Sequence, residues 1–195
     1  MNERQAFFEL AGMLATDPRI VVLFTLLAAA AVIDVRRHRI PNWLTMSGLV
    51  FALGYSAFVP FYLKHGFLWS LGGAATGFGV LFPMWLLRIM GAGDVKLMAA
   101  VGAAAGPGNW LGILVLTSVA GAVAGLLLVA FKGRFRKTLG NLGILISSLG
   151  RGRAPYRETP ELDVSSDKAM RLPHGALIAL GTLGFLAAAL RWAPR

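Results

Sequence analysis

The chain has 195 residues, of which 56% are hydrophobic and only 14% are charged. Because soluble domains carry about 25% charged residues, this composition excludes an ordinary soluble protein and predicts an integral membrane protein. The net charge of +10 would suggest a nucleic-acid partner in a soluble protein. Here the basic residues fall in short loops between apolar segments, where they indicate membrane topology, so no nucleic acid is expected as a partner.

The residue types that usually hold metals are scarce. The sequence has no cysteine, and its three histidines are scattered without ligand spacing, so we expect neither a metal nor a cofactor. The apolar segments are too long for the short alternating strands of an outer-membrane barrel. We therefore predict one all-α domain over residues 1–195, a polytopic helical membrane protein with about six transmembrane helices.

The chain begins with a segment, residues 1–18, whose apolar stripe predicts a helix lying on the bilayer surface. Asp17-Pro18 is a typical helix start. The first apolar segment, residues 20–33, gives about 21 Å of helix against a hydrocarbon core of roughly 30 Å. Asp34, which follows it, is therefore expected at the membrane edge or inside the membrane.

Five further apolar segments are predicted to be helical. They cover residues 43–63, 67–87, 95–106, 110–131 and 172–192. Ile40-Pro41-Asn42 predicts the end of one helix and an Asn cap for the next. The third of these segments predicts a short helix after Gly91-Ala92-Gly93-Asp94, ended by a loop over residues 106–109. Glycines at 72, 73, 77, 79, 121 and 125 are interpreted as helix-packing positions.

The segment of residues 132–171 is polar and basic and is predicted to be a cytosolic or interfacial loop. Its one apolar stretch, residues 139–149, is too short to cross the membrane and is interpreted as interfacial or packed. Its acidic residues Glu158, Glu161 and Asp163 are interpreted as solvated. Of the 19 Lys and Arg residues, 14 fall in the loops after the first, third and fifth segments, and the other 5 lie on the opposite side. The positive-inside rule then assigns the residue 36–39 loop, the residue 91–94 loop and residues 132–171 to the cytosol.

Two acidic residues stand alone in the apolar part of the chain. From residue 18 to residue 157, only Asp34 and Asp94 carry a carboxylate. An Asp at a helix centre in the membrane costs about 2.5 to 3.5 kcal/mol and so indicates a polar pathway or a catalytic site. Two carboxyl groups on one face can share a proton, so that one activates water and the other donates to a scissile carbonyl oxygen.

Two other functions fit an isolated acidic pair. A small transporter or channel could use Asp34 and Asp94 to relay protons or bind a cation. A non-catalytic membrane subunit would need neither side chain.

Three motifs resemble those of the bacterial type IV prepilin peptidases. These are Asp34 with Ile40-Pro41-Asn42, then Gly91-Ala92-Gly93-Asp94-Val95-Lys96, and then Leu172-Pro173-His174-Gly175-Ala176. The chain is most similar to the short forms found with tight-adherence (Flp) pili. The resemblance implies an aspartic endopeptidase of the GxGD type in the bacterial inner membrane. It would remove the basic leader from prepilins or pseudopilins at the cytosolic face, with Asp34 and Asp94 as its catalytic pair.

Five further residues are assigned supporting roles. Gly91 and Gly93 are expected to give Asp94 room and to permit backbone conformations that a helix forbids. Pro41 and Asn42 are expected to shape the turn that positions Asp34. Lys96 has two interpretations. It is a basic residue that only follows the positive-inside rule, or it tunes the ionisation of Asp94 or holds phospholipid.

The resemblance also bears on partners and on a second activity. Prepilin precursors, membrane lipids and the pilus secretion machinery are the expected partners. Larger relatives carry a cysteine tetrad linked to N-methylation, and because this chain has no cysteine, no methyltransferase activity is expected. His174, where the family often has Tyr, is interpreted as a packing or interfacial residue.

Overall fold

A computed structural model describes residues 12, 17–59, 66–151, 163 and 172–192, without the side chains of residues 149 and 190–192. Every regular element within these ranges is an α-helix. The helices are α1 (Pro18–Arg37), α2 (Asn42–Phe58), α3 (Phe67–Leu86), α4 (Ala92–Phe131), α5 (Phe135–Gly150) and α6 (His174–Trp192). The predicted surface helix before residue 17 and most of the segment 152–171 lie outside the described residues.

The prediction of an all-α membrane protein is confirmed. Helices α1, α3 and α4 are long and apolar enough to cross a membrane, and α6 carries a shorter apolar stretch, His174–Ala189. Each of the six predicted apolar segments corresponds to a helix or to one half of α4. Helix α5 lies in the segment 132–171, so the prediction of a loop there is wrong over residues 135–150. The number of these segments that cross the bilayer stays a prediction.

Helix α1 begins where the sequence predicts and ends later. Asp17 is its N-cap and accepts a 2.8 Å hydrogen bond from the Arg19 backbone N–H, while Pro18 occupies the first turn. At the other end His38 closes the helix in a left-handed conformation, φ 48°, and donates its N–H to the Asp34 carbonyl oxygen. Since this cap lies beyond the apolar segment, Asp34 lies within the last turn of α1.

Helix α4 consists of two halves that meet at Gly106. This residue has φ +80°, and the Trp69 ring occupies the space that a Cβ atom would need there. The Trp110 indole N–H donates to the Met98 carbonyl oxygen at 3.1 Å. Twelve residues of straight helix would separate these groups by about 18 Å, so the second half folds back against the first. The predicted loop over residues 106–109 is wrong in length, because only Gly106 leaves the helical conformation.

The first half of α4, residues 92–105, is the centre of the bundle. Its residues are buried from Asp94 onward except for Lys96, and α4 contacts all five other helices. Helix α3 approaches it at backbone contact, because a Cβ atom at Gly73 would overlap the Gly102 carbonyl and one at Gly77 would overlap that of Met98. The packing interpretation is thus confirmed for Gly73 and Gly77, whereas Gly79 faces open space.

A second polar cluster joins α1 and α2 at the end opposite Asp34. Arg19 is only 2% exposed, forms a 3.1 Å ion pair with Asp17, and donates to the Ser56 hydroxyl oxygen at 3.4 Å. Its guanidinium lies over the Tyr55 ring, 5.2 Å from the centroid. This cation is therefore paired where it is buried.

Candidate active site

Asp34 is buried and held by the start of α6. Its side chain is 5% exposed in the structure, and Oδ2 accepts a 2.7 Å hydrogen bond from the Gly175 backbone N–H. Gly175 is the second residue of α6. The first N–H groups of a helix have no partner within the helix and interact well with negative charge, so α6 orients the Asp34 carboxylate.

Asp94 is the third residue of α4 and is 9% exposed. Its carboxylate folds back toward the Gly91 backbone N–H. A Cβ atom at Gly91 would lie 3.1 Å from Asp94 Oδ2, tighter than an ordinary contact. Gly91 has φ −70° and ψ 144°, an extended conformation that a helix forbids, whereas Gly93 is helical, so the expectation holds for Gly91 alone. Neither residue has positive φ, so neither conformation requires glycine. What matters is the space that a missing side chain leaves.

Ile40 packs between the starts of α4 and α6. A Cβ atom at Gly93 would lie 3.1 Å from Ile40 Cβ, and one at Gly175 would lie 3.0 Å from Ile40 Cδ1. Ile40 itself is buried. Because Gly93 precedes Asp94 and Gly175 binds Asp34, this one side chain touches the immediate surroundings of both carboxylates.

The two aspartates interact electrostatically. Asp94 lies close enough to Asp34 for repulsion when both are ionised, and close enough to His174 for attraction when the imidazole is protonated. Like charges this close repel each other, so the state with both carboxylates ionised is disfavoured. Within the described ranges, no group of three or more His, Cys, Asp or Glu side chains could hold a metal ion.

His174 is the site residue that sequence reasoning missed. Its Nδ1 lies 3.1 Å from the Leu172 carbonyl oxygen, which can only accept, so this contact requires a proton on Nδ1. Interpreting His174 as a packing residue leaves out its interaction with Asp94. The available signal was its position next to Gly175 in the third motif.

Lys96 and Asn42 join α4 to α2. Lys96 Nζ donates to Asn42 Oδ1 at 2.9 Å. The predicted capping role of Asn42 is wrong, because Pro41 is the N-cap and α2 has no side-chain cap. Its amide is instead the partner of Lys96, which ties the start of α2 to the turn after Asp94.

The structure also corrects the interpretation of Asp163 as a solvated residue. Its carboxylate forms a 2.9 Å ion pair with Arg88, and its side chain is 15% exposed. Arg88 lies three residues before Gly91, in the link between α3 and α4. Asp163 therefore lies against the link between α3 and α4, which leads into the GxGD motif.

All the predicted site residues lie at one end of the bundle. The catalytic assignment of Asp34 and Asp94 and the supporting roles of the others stay predictions. The arrangement offers two buried carboxylates, a backbone N–H that orients one of them, and a histidine beside the other. Such a site can exchange protons with a bound water and an adjacent carbonyl group.

Comparison with known proteins gives the family. The model of the type IV leader peptidase family matches residues 21–126, a range that includes both Asp34 and Asp94. The chain is 36% identical over 129 residues to a prepilin leader peptidase/N-methyltransferase of Xanthomonas campestris pv. campestris. That match covers 60% of this chain and 42% of the relative, so the chain spans less than half of the relative's length. No solved structure matches. Since the family model covers more than half of the sequence, the chain belongs to the type IV leader peptidase family.

Proposed function

We propose that this chain is a membrane aspartic endopeptidase that cleaves the leader peptide from type IV prepilins, with Asp34 and Asp94 as its catalytic pair. The observation that carries the proposal is the pairing itself. The only two acidic residues of a 140-residue, mostly apolar stretch are both buried and interact with each other. Membership of the type IV leader peptidase family supports the same reaction.

The chemistry requires the pair to hold one proton. The ionised carboxylate takes a proton from water, the water oxygen attacks the scissile carbonyl carbon, and the neutral carboxyl group donates its proton to the carbonyl oxygen. The tetrahedral intermediate then collapses, the C–N bond breaks, and the leaving amine takes a proton from the pair. The Gly175 N–H keeps the Asp34 carboxylate in one orientation during this exchange.

The cytosolic face of the bacterial inner membrane is the proposed location of the reaction. Arg36, Arg37 and Arg39 are exposed at the same end of the bundle as the aspartates. A positively charged end favours the cytosol. A basic prepilin or pseudopilin leader would reach the site from that side, and contacts with the secretion machinery belong to the same proposal.

The proposal covers peptide cleavage alone. The relative's name includes N-methyltransferase, but this chain matches 42% of that protein and contains no cysteine. We therefore propose no methyl transfer, and we keep the tight-adherence subtype as part of the proposal.

Substitution of each aspartate tests the assignment. We expect Asp34→Asn and Asp94→Asn each to lower the rate of leader cleavage by at least about 100-fold, since each removes one half of the proton exchange. The measurement is the conversion of a co-expressed prepilin to its mature length. The control is Asp17→Asn at the other end of α1, which keeps a capping side chain but removes the ion-pair partner of Arg19. It should lower the thermal stability of the protein while leader cleavage continues at the parent rate.

Processing at the parent rate by either variant would remove that residue from the mechanism. The relay alternative predicts a different result in liposomes containing the purified protein. There, a proton or cation flux that depends on Asp34 and Asp94 without any peptide cleavage would replace the peptidase proposal with a transporter.

A further inference from the structure

Helix α5 exposes an apolar stripe. Phe135, Leu139, Leu142 and Ile146 follow one another at helical spacing on one face, and each is more than half exposed, at 52% to 62%. This helix is 16 residues long, about 24 Å. Four large side chains in one row along such a helix form a continuous apolar surface.

The opposite side of the same helix is less exposed and is partly polar. Thr138, Asn141, Ile144 and Leu145 are half-buried, and Ser148 is fully buried. A helix on the surface of a soluble protein has the opposite orientation, with its apolar stripe toward the core. The apolar face of α5 must therefore be covered by an apolar medium or by another molecule.

The position of α5 indicates the membrane surface. The second half of α4 runs antiparallel to α6, since Gly181 packs against Thr117 while Gly125 lies near Leu172. The end of α4 is thus close to the start of α6 and to the aspartate end of the bundle. Phe131, the last residue of α4, is 87% exposed and lies only four residues before Phe135. Helix α5 consequently begins at the level where α4 leaves the bilayer.

Basic residues surround the same junction. Lys132, Arg134, Arg136 and Lys137 are all exposed, and no acidic residue occurs between Asp94 and Glu158. Each basic residue near an anionic membrane surface contributes attraction that falls off within about a Debye length.

We propose that α5 is an in-plane helix that docks on anionic phospholipid. Its stripe enters the boundary between headgroups and acyl chains, and the basic residues at its start bind the phosphate headgroups. This contact would hold the segment between α4 and α6 on the bilayer at the end of the bundle that carries Asp34 and Asp94. The proposal depends on the membrane-spanning fold and not on the peptidase assignment.

The absence of native cysteine makes a direct test available. Full-length Leu142→Cys and Ser147→Cys variants, each labelled with an environment-sensitive dye, are placed one copy per nanodisc containing phosphatidylglycerol. Leu142 lies on the apolar stripe, and Ser147 is exposed on a flank of the helix, away from both the stripe and the buried side. We expect spin-labelled lipid to quench the dye at position 142 and aqueous iodide to quench the dye at position 147.

Two results at position 142 would overturn the proposal. Quenching by iodide as strong as at position 147 would leave the stripe in water. Shielding from both quenchers would mean that protein covers it. Ile146→Cys repeats the measurement on the same stripe, so that the conclusion does not depend on one variant folding.

Lipid composition tests the charge contribution. We expect lipid quenching at position 142 to weaken in nanodiscs of phosphatidylcholine alone and at high salt. Replacing Lys132, Arg134 and Arg136 together with Gln should abolish the difference between the two lipids. If the protein with its basic residues intact shows equal lipid quenching in phosphatidylglycerol and in phosphatidylcholine, the assignment to anionic phospholipid is overturned.

Discussion

At the scale of single residues, the site depends on glycines, because a larger residue would leave too little space around the aspartates. An Ala at position 175 would place its Cβ atom 3.1 Å from Asp34 Cβ and 3.2 Å from Asp34 Oδ2. Either Asp34 or Ile40 would have to move, and a shift of about 1 Å can cost roughly 100-fold in rate. We expect Gly175→Ala to slow leader cleavage by about 10- to 100-fold while the protein stays folded, measured as the rate constant on a purified prepilin.

Gly184 supplies the matched control on the same helix. A Cβ atom there would lie 3.8 Å from Leu116 Cδ1, an ordinary contact. Gly184→Ala should therefore cleave at the parent rate. Equal rates for the two variants would mean that the position of the Asp34 carboxylate does not limit the reaction.

At the scale of elements, the contact between α3 and the first half of α4 determines where Asp94 lies. Gly73 and Gly102 meet at backbone distance, and neither backbone can retreat without separating the helices. We expect Gly73→Ala to lower the free energy of unfolding by about 1 to 3 kcal/mol, the usual cost of overpacking. Thermal unfolding in detergent micelles measures it.

Gly79 on the same helix gives the comparison, since a Cβ atom there meets nothing within 4 Å. Because Ala favours a helix over Gly by up to about 1 kcal/mol, Gly79→Ala should leave stability unchanged or raise it slightly. A loss of equal size in both variants would show that the cost comes from the helix itself and not from its contact with α4.

At the scale of the whole molecule, the two ends of the bundle differ in charge, and the site lies at the basic end. We expect Arg37→Cys, at the end of α1, to react with a membrane-impermeant maleimide only after spheroplasts are permeabilised. Phe58→Cys, at the end of α2, should react in intact spheroplasts. Both parent side chains are exposed. The reverse pattern would put the aspartates on the outer face and contradict cleavage of a cytosolic leader.

Much of this arrangement could be predicted from the residue pattern. The apolar segments predict the helices, and Asp17-Pro18 predicts the start of α1. Helix ends that depend on caps are predicted less well. The apolar run stops at residue 33, whereas α1 continues until the His38 backbone N–H binds the Asp34 carbonyl oxygen. The partners of Asn42 and Asp163 were also missed, since both lie more than 50 residues away along the chain.

The residue sequence by itself determined that the protein lies in the membrane, that it is helical, and that Asp34 and Asp94 are its isolated carboxylates. These properties follow from composition and from local patterns of apolar and charged residues. Only the tertiary structure decided that Gly175 binds Asp34 and that His174 lies near Asp94. It also decided that Ile40 packs between the starts of α4 and α6. Such contacts join residues up to 141 positions apart, and their geometry depends on how closely the glycine faces allow whole helices to approach.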